Sequence, residues 1–420
     1  MILLSPSLGI TIAASIVVFL IFLLALLMVI LYAKAKLTSS GLVKLTINGE
    51  KTLEVNAGDT ILSTLGGNKI FLPSACGGGG TCAMCKCQVL EGGGEILPTE
   101  APYFTRKEIQ EKWRLGCQVK VKQDMNIQIP DEIFGIKQWV CTVTSNNSVA
   151  TFIKELDLAL PEGEVLEFQN GGYIQIDIPK YEIDFEKDIK PGIEDEYRAD
   201  WDNMKLWDLK GKNSEGVFRA YSMANHPAEG SRVTLNVRIA TPPFDRANGR
   251  FMDVLPGLAS TYMYSLKTGD KVTISGPYGE FFIQETEREM LFLGGGAGMA
   301  PMRSHIFHLF HTEKTTRKAT FFYGARSVRE MFYDDEFKAI QNDFDNFNYI
   351  VGLSDPLEED NWTGPVGFIH DVAFNEYLKD HPAPEDIEYY LCGPPMMLSA
   401  VMSMLDNLGV EPEMIRYDEF

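Results

Sequence analysis

Between residues 76 and 87 the chain reads Cys-Gly-Gly-Gly-Gly-Thr-Cys-Ala-Met-Cys-Lys-Cys, and few folds accept such a stretch. Cys76, Cys82 and Cys85 stand at C-x5-C-x2-C, and Cys117 follows in Leu115-Gly116-Cys117. Four thiolates can hold a two-iron, two-sulfur (2Fe-2S) cluster with two sulfurs for each iron. Gly77 to Gly80 give the loop backbone without Cβ atoms, free to take positive φ and to aim N–H groups at sulfur. Two other readings exist. A structural zinc site also takes four cysteines, but usually as two short C-x(2–4)-C pairs, and here only Cys82 and Cys85 make one. Free thiols or disulfides are the third reading, although glycines beside cysteines are poor core material. Cys87 is set aside as a ligand, because Lys86 to Leu90 alternates like a strand that starts after the loop.

The spacing resembles ferredoxins of the C-x5-C-x2-C, adrenodoxin-like type and differs by one residue from the plant-type C-x4-C-x2-C. Around it the expected domain runs from 36 to 130. Val43 to Ile47 and Thr52 to Val55 read as a hairpin turned by Asn48-Gly49. Asp59 is expected to cap a short helix from Thr60 to Leu65, ended by Gly66-Gly67. A helix from Thr105 to Trp113 and closing strands at Val119–Val121 and Asn126–Ile129 complete the order of a β-grasp ferredoxin. Seven cysteines in 420 residues, five of them in one region, do not make a secreted disulfide framework.

No charged side chain occurs from Met1 to Ala33, and Leu8 to Tyr32 is almost wholly apolar. As a helix this run reaches ~37 Å, enough to cross a ~30 Å hydrocarbon core with some tilt. Residues 1–35 are therefore expected to be a single-pass transmembrane anchor. A cleaved signal peptide is the alternative, with Ala33-Lys34-Ala35 as a faint cleavage site, but no basic segment precedes the run and the run is long for one. Lys34, Lys36 and Lys44 follow the span, so the rest of the chain is expected on the cytoplasmic side. The span carries no ionisable group and offers no ion path of its own. The formal net charge of −20 argues against a nucleic-acid partner.

In the third segment, 131–285, the runs Val140–Thr144, Val165–Phe168 and Tyr173–Ile178 alternate with period two and predict an antiparallel β-barrel. Arg219-Ala-Tyr221-Ser222 places a guanidinium, an aromatic ring and a hydroxyl on one strand. Together these can meet a flat anionic ligand: Arg219 on pyrophosphate, Tyr221 stacked on a ring, Ser222 bonded to a ring nitrogen. Gly257 to Thr261 opens a helix whose N-terminus can take a phosphate. Arg219-x-Tyr221-Ser222 followed by Gly257-x-x-Ser260 resembles the ferredoxin-NADP reductase family, in which these positions bind FAD. The resemblance puts Tyr221 on the isoalloxazine, Ser222 near its N5, Arg219 on pyrophosphate and Ser260 on phosphate. It places Asn236 and Arg238, in Leu235–Arg238, on the strand beside the flavin. Between the strands lies an acidic insertion from Glu182 to Asp202, read as a solvated loop or as a docking face for a partner.

The last segment, 286–420, alternates strand and helix and predicts a parallel α/β sheet. Met290–Leu293 leads into Gly294-Gly-Gly296-Ala-Gly298-Met-Ala-Pro301 and a helix, an arrangement that presents backbone N–H groups to a pyrophosphate. In the reductase family Gly294 to Pro301 and Cys392-Gly393-Pro394 flank the nicotinamide nucleotide, with Cys392 beside the reactive ring. Arg326 and Arg329 could favour a 2′-phosphate, but Glu330 stands beside them, so NADH and NADPH are both open on the residues. Phe420 is either a movable aromatic gate over the flavin or an ordinary chain end.

The fold class is thus a multidomain α+β and α/β chain: anchor, β-grasp domain, antiparallel barrel and parallel α/β domain. This order resembles the electron-input subunits of the sodium-translocating NADH:quinone oxidoreductase family. Further carriers of the resemblance are Arg219-Ala-Tyr-Ser-Met-Ala-Asn225, Tyr197-Arg-Ala-Asp-Trp201, the run Gly294 to His305 and Tyr389 to Met397. It implies NADH as substrate, FAD and a 2Fe-2S cluster as cofactors, and a catalytic set of Tyr221, Ser222, Cys392 and Phe420. It also implies other membrane subunits of the complex as partners and a place in the bacterial inner membrane. Hydride from NADH would pass to FAD, then single electrons through the cluster toward ubiquinone. A membrane-tethered reductase feeding an oxygenase and a non-catalytic iron–sulfur sensor are the alternatives.

Overall fold

The computed structural model describes residues 6–37, 41–245 and 249–418, with side chains in the first helix described for 14–30 and 32. Helix α1, Pro6–Leu37, opens on a proline at its first position, where the missing N–H costs nothing. Every described side chain from Ala14 to Ile30 is exposed, and nearly all are apolar. Among the described residues no helix is long and apolar enough to cross a membrane. Two compact units follow from the contacts: Met1–Leu72 with Gly78–Phe134, and Pro73–Gly77 with Gly135–Phe420.

In the first unit, strands β1 (Leu42–Ile47) and β2 (Lys51–Asn56) form the expected antiparallel hairpin. Asn48 and Gly49 both take positive φ (51° and 73°), the geometry that matches the twist of a two-residue turn. Helix α2 (Ile61–Gly67) turns Ile61, Leu62 and Leu65 into the core. Thr60, not Asp59, caps it: the Thr60 hydroxyl accepts from Ser63 N. Strand β3 (Lys86–Glu91) follows the cysteine loop. The predicted helix from Thr105 shortens to α3 (Arg106–Gln110), closed by a Thr105–Glu108 capping box. Lys112 takes φ 64°, which ends the helix and turns Trp113–Leu115 into strand β4 against β3. Val119–Val121 is no strand; it contributes one bridge, Thr60 to Lys120. Strand β5 (Met125–Gln128) lies parallel to β1 and antiparallel to β3, giving the order β2-β1-β5-β3-β4.

Beneath β3 and β4 sits a buried ion pair. Glu100 is fully buried and accepts from Arg114 Nε at 2.5 Å and from Leu115 N at 3.0 Å, while Arg114 Nη1 bonds the carbonyls of Gly93 and Gly94. Arg114→Met would strand the Glu100 charge and is expected to destabilise this unit by about 3–5 kcal/mol. Adding Glu100→Leu should recover most of that loss in urea unfolding; no recovery would show that the arginine acts through something other than the pair.

The second unit carries two sheets. Strands β6 (Lys137–Ala150), β7 (Ile153–Ala159) and β8 (Tyr173–Ile178) come first. Val165–Phe168 forms no strand, so that expectation is corrected. The acidic insertion is not a loop. It folds as β9 (Tyr181–Asp184), a π-turn at Phe185–Ile189 and α4 (Asp195–Asn203), paired to β10 (Lys210–Asn213). Phe185, Ile189, Ile193, Tyr197 and Trp201 recur every fourth residue, and all five are buried. Buried Lys154 ties the insertion down by donating to the Gly192 carbonyl at 2.7 Å. Strands β11 (Val217–Ser222) and β12 (Arg232–Arg238) are the two ends of the sheet order β11-β8-β15-β6-β7-β12. A short hairpin, β13 (Phe244–Asp245) and β14 (Arg250–Phe251), precedes α5 (Leu258–Ser265), and β15 (Lys271–Tyr278) completes the sheet. The end strands meet at the Met223–Leu235 bridge, beside which Ala224 N donates to Thr234 O at 2.8 Å.

Past the expected 285/286 boundary the pairing becomes parallel. Strand β16 (Met290–Gly295) is buried along its whole length, as a strand covered on both faces must be. Helix α6 (Met299–Phe307), β17 (Ala319–Ala325), α7 (Asp334–Asp343), β18 (Phe347–Leu353), α8 (Ile369–Glu376), β19 (Glu388–Cys392), α9 (Pro395–Asn407) and β20 (Ile415–Asp418) follow. The order β18-β17-β16-β19-β20 reverses direction between β16 and β19. In an open parallel sheet, ligands bind outside the carboxyl ends of the strands at such a switch point.

Candidate functional site

The cysteine loop needs its glycines. Gly77, Gly78 and Gly80 all take positive φ, as does Ala83. A Cβ on Gly80 would lie 2.5 Å from Gln118 Nε2, and that amide nitrogen is 3.6 Å from Cys117 Sγ. Cys82, Cys85 and Cys117 are electrostatically coupled. A side-chain hydrogen bond with Cys117, then burial, pushes the Cys85 thiol far above the usual cysteine range. Such a buried thiol pair becomes thiolate when a cation neutralises it, as iron does. Among the described residues no three His, Cys, Asp or Glu side chains converge on one metal-ion position, and none of the cysteines is in a disulfide. A two-iron cluster asks for two sulfurs at each iron and no such convergence. Cys76 falls in Pro73–Gly77, the stretch grouped with the second unit, with Ser74 Oγ 3.9 Å from its sulfur. Cys87 is wholly buried within β3, and burial pushes its thiol up to about 12.

Strand β11 is half-exposed at all six positions, whereas its partner β8 is buried at five of six. Strand β11 is thus the more accessible of the two strands. Arg219 Nη1 donates to the Phe218 carbonyl at 2.7 Å. Tyr221 is half-exposed, and desolvation raises its phenol well above the ordinary range. Ser222 Oγ donates to Asp418 Oδ2 at 2.7 Å. Ser260 is buried; its hydroxyl accepts from Ala240 N at 3.1 Å and donates to the Gly257 carbonyl at 3.3 Å. A Cβ on Gly257 would fall 2.6 Å from Ala240 Cβ, so only glycine lets the two segments approach. Ser260 thus shapes the turn that opens α5, leaving backbone N–H groups at that end. Asn236 is buried and donates to Tyr333 Oη at 2.8 Å, and its own Oδ1 has no hydrogen-bond partner among the described residues. Arg238 is exposed at the end of β12.

At the switch point β16 runs into Gly296 (φ 57°) and then α6, with Pro301 buried in the helix's first turn. A Cβ on Gly298 would lie 2.1 Å from the Cys392 carbonyl oxygen and 2.8 Å from Gly393 N. The glycine loop and the Cys392-Gly393-Pro394 turn are therefore packed backbone against backbone. Cys392 is fully buried; burial first, and then the Asp418 carboxylate, push its thiol up. Ser222, Cys392 and Asp418 thus come together, bringing β11 to the carboxyl ends of β19 and β20. Asp418 was missed by sequence reasoning, which looked to Phe420; Phe420 lies outside the described residues. The arginines after β17 are already committed: Arg326 to Asp355 at 3.3 Å and Arg329 to Asp200 at 2.7 Å.

Three family matches divide the chain. Residues 45–122 match the 2Fe-2S iron-sulfur cluster binding domain, 206–283 the oxidoreductase FAD-binding domain and 292–403 the oxidoreductase NAD-binding domain. The chain is 56% identical over 398 residues to the F subunit of the Na(+)-translocating NADH-quinone reductase of Pseudomonas aeruginosa, covering 94% of this chain and 95% of that one. The corresponding protein of Methylococcus capsulatus is 56% identical over 94% and 96% of the two chains, and that of Klebsiella pneumoniae 54% over 96% and 98%. Among solved structures, an Amycolatopsis cytochrome P450 reductase superposes with a TM-score of 0.61 at 21% identity, over 90% of this chain and 98% of that one. The ferredoxin reductase in carbazole 1,9a-dioxygenase gives 0.56 at 24% identity, over 90% and 98%. These two establish likeness of fold.

Proposed function

The chain belongs to the family of the F subunits of Na(+)-translocating NADH-quinone reductases, and on that footing we propose how its own residues divide the work of an FAD- and 2Fe-2S-dependent NADH oxidoreductase. When bound, FAD accepts a hydride from NADH and the cluster takes up electrons singly. The observation that carries the reading is the meeting of Ser222, Cys392 and Asp418 at the topological switch point of the parallel sheet.

Gly294, Gly296, Gly298 and Pro301 shape a loop whose N–H groups receive the nucleotide pyrophosphate at the start of α6. Gly393 and Pro394 open α9 on the far side of that crevice. Arg219 holds the flavin pyrophosphate, Tyr221 stacks along the ring and Ser222 bonds its edge. Asp418 holds the Ser222 hydroxyl in one orientation, and buried Cys392 gives the nicotinamide a small, uncharged wall. Asn236 offers its unpartnered Oδ1 to the flavin side, and Arg238 lies at the end of the same strand. Cys76, Cys82, Cys85 and Cys117 hold the cluster. The sheet joined at Met223–Leu235 acts as a closed barrel, with domains at 36–130, 131–285 and 286–420. The apolar run of residues 1–35, longer than the stretch of α1 whose side chains are described, anchors the chain by a single pass in the bacterial inner membrane, where the other subunits of the complex take the electrons.

Detergent-solubilised full-length protein should lose its flavin absorbance on NADH addition and develop a reduced-cluster EPR signal. NADPH should react at least ~10-fold more slowly, because carboxylates already occupy Arg326 and Arg329 and repel a further phosphate. A protein that binds NADH but leaves its flavin oxidised would sink the reading.

A further inference from the structure

Helix α6 starts at the glycine loop and then carries Arg303, Ser304 and His305 in succession, all buried. Three successive residues point around most of a helix's circumference. All three nevertheless find polar partners on the antiparallel sheet's side of the unit, with Glu336 of α7 the one partner outside it. Arg303 Nη1 donates to the Ala224 carbonyl at 3.1 Å and to Glu229 Oε2 at 2.9 Å, and Nη2 donates to Glu229 Oε1 at 2.9 Å and to Glu336 at 2.8 Å. Ser304 Oγ donates to the Asn225 carbonyl at 3.0 Å and accepts from Gly171 N at 3.4 Å. His305 Nδ1 faces Asn170 Nδ2 at 2.9 Å. His305 also fills the space beside Gly171, where a Cβ would come within 2.3 Å of its ring.

The backbone and amide partners share one location. Ala224 and Asn225 follow Ser222, while Asn170 and Gly171 precede Tyr173, and Ser222 pairs with Tyr173 in the sheet. The three side chains therefore grip the end of the β8–β11 pair at which Ser222 stands. Asn225 is itself fixed, donating to Arg232 O and accepting from Thr234 N, each at 2.9 Å. Burying a guanidinium and a carboxylate is a costly way to add stability, so such a pair is better suited to fixing register. Burial alone would raise the Glu229 carboxyl, but hydrogen bonds from His226 and Arg303 hold it well below the usual range. The pair thus stays charged through that range and loosens only in strong acid.

We propose that Arg303, Ser304 and His305 are positioning residues that lock the nucleotide-binding loop to the flavin-binding strand, setting the reach of the nicotinamide to the flavin. This rests on the function proposed above. An ångström of misplacement at a reacting centre can cost ~100-fold in rate. Arg303→Met and Glu229→Met, singly and together, should each slow hydride transfer per bound flavin by ~30-fold or more while flavin content stays at one per chain. The split should fall on kcat, with the KM for NADH moving less. The double variant should be no worse than the poorer single, as coupled partners require. Arg303→Lys and Ser304→Ala, milder changes, keep the test open if the methionine variants fold poorly. Hydrogen exchange without NADH gives a second readout: the amides of Gly171, Ala224 and Asn225 should exchange ~10-fold faster or more in the variants, as they do when local structure opens. Unchanged rate per flavin and unchanged exchange in folded variants would overturn the joint. Wild-type flavin left oxidised by NADH would instead overturn the function beneath it, and the exchange measurement would still decide whether the joint exists.

Discussion

A Cys117→Ala chain should still reduce its flavin with NADH, yet show no cluster EPR signal and pass electrons to a one-electron acceptor at least ~100-fold more slowly. That factor is the upper end of what even an outer-shell change costs a metal site. Cys117 is buried beside Cys85, and Gly77, Gly78 and Gly80 of the loop around them all take positive φ. Removing one sulfur therefore takes away both a ligand and part of what orders the loop. Flavin reduction should survive because the residues proposed to bind FAD and NADH all lie in 135–420. The control is Cys87→Ala. That thiol is a core side chain of β3, and its loss should cost about 1–2 kcal/mol of stability and leave the signal in place. A signal that survives without Cys117 but vanishes without Cys87 would reverse the ligand assignment.

Gly298→Ala should damage the opposite end of the electron path. The added methyl would stand 2.1 Å from the Cys392 carbonyl oxygen and 2.4 Å from its carbon, with Gly393 N at 2.8 Å. All three are backbone atoms at the end of a buried strand, so no flexible side chain can move aside. The loop must back away from the Cys392–Gly393 turn, at a cost of about 1–3 kcal/mol or more. For a domain of this size that lowers Tm by roughly 2–4 °C per kcal/mol. Hydride transfer should fall by ~100-fold while the bound FAD remains, since the displaced loop carries the nucleotide. Gly296→Ala is the comparison. Its nearest neighbour would be Ile153 Cδ1 at 3.9 Å, so the change meets only the strain of φ 57°, about 1–2 kcal/mol. Equal kinetics and melting for Gly298→Ala and wild type would mean that close backbone contact is not what holds the crevice.

Where local chemistry decided the backbone, the chain could be read directly. Asn48-Gly49 can hardly be anything but a hairpin turn, and Met290–Leu293 before a glycine run is the buried strand its apolar side chains predict. Arg219, Tyr221 and Ser222 do lie on one strand. The failures have causes too. Thr105–Trp113 has helical composition throughout, but pairing of Trp113–Leu115 with β3 outweighed propensity over the last residues. The acidic insertion was judged on its carboxylates, while its four-residue repeat of apolar side chains from Phe185 to Trp201 was the signal that it folds. Asp418 had no local signature at all.

Residue types and spacing by themselves bounded the chemistry open to the chain: four cysteines at the spacing of a 2Fe-2S loop, an Arg-x-Tyr-Ser run on one strand, and a glycine run after a buried strand. These follow from φ limits, side-chain valence and short-range periodicity, all of which act within a few residues. Tertiary structure alone decided that Asp418 meets Ser222 and Cys392, and that Arg303, Ser304 and His305 close on Glu229, Asn225 and Asn170. Those contacts join residues far apart in the chain, and only the packing of one sheet against the other selects the partners.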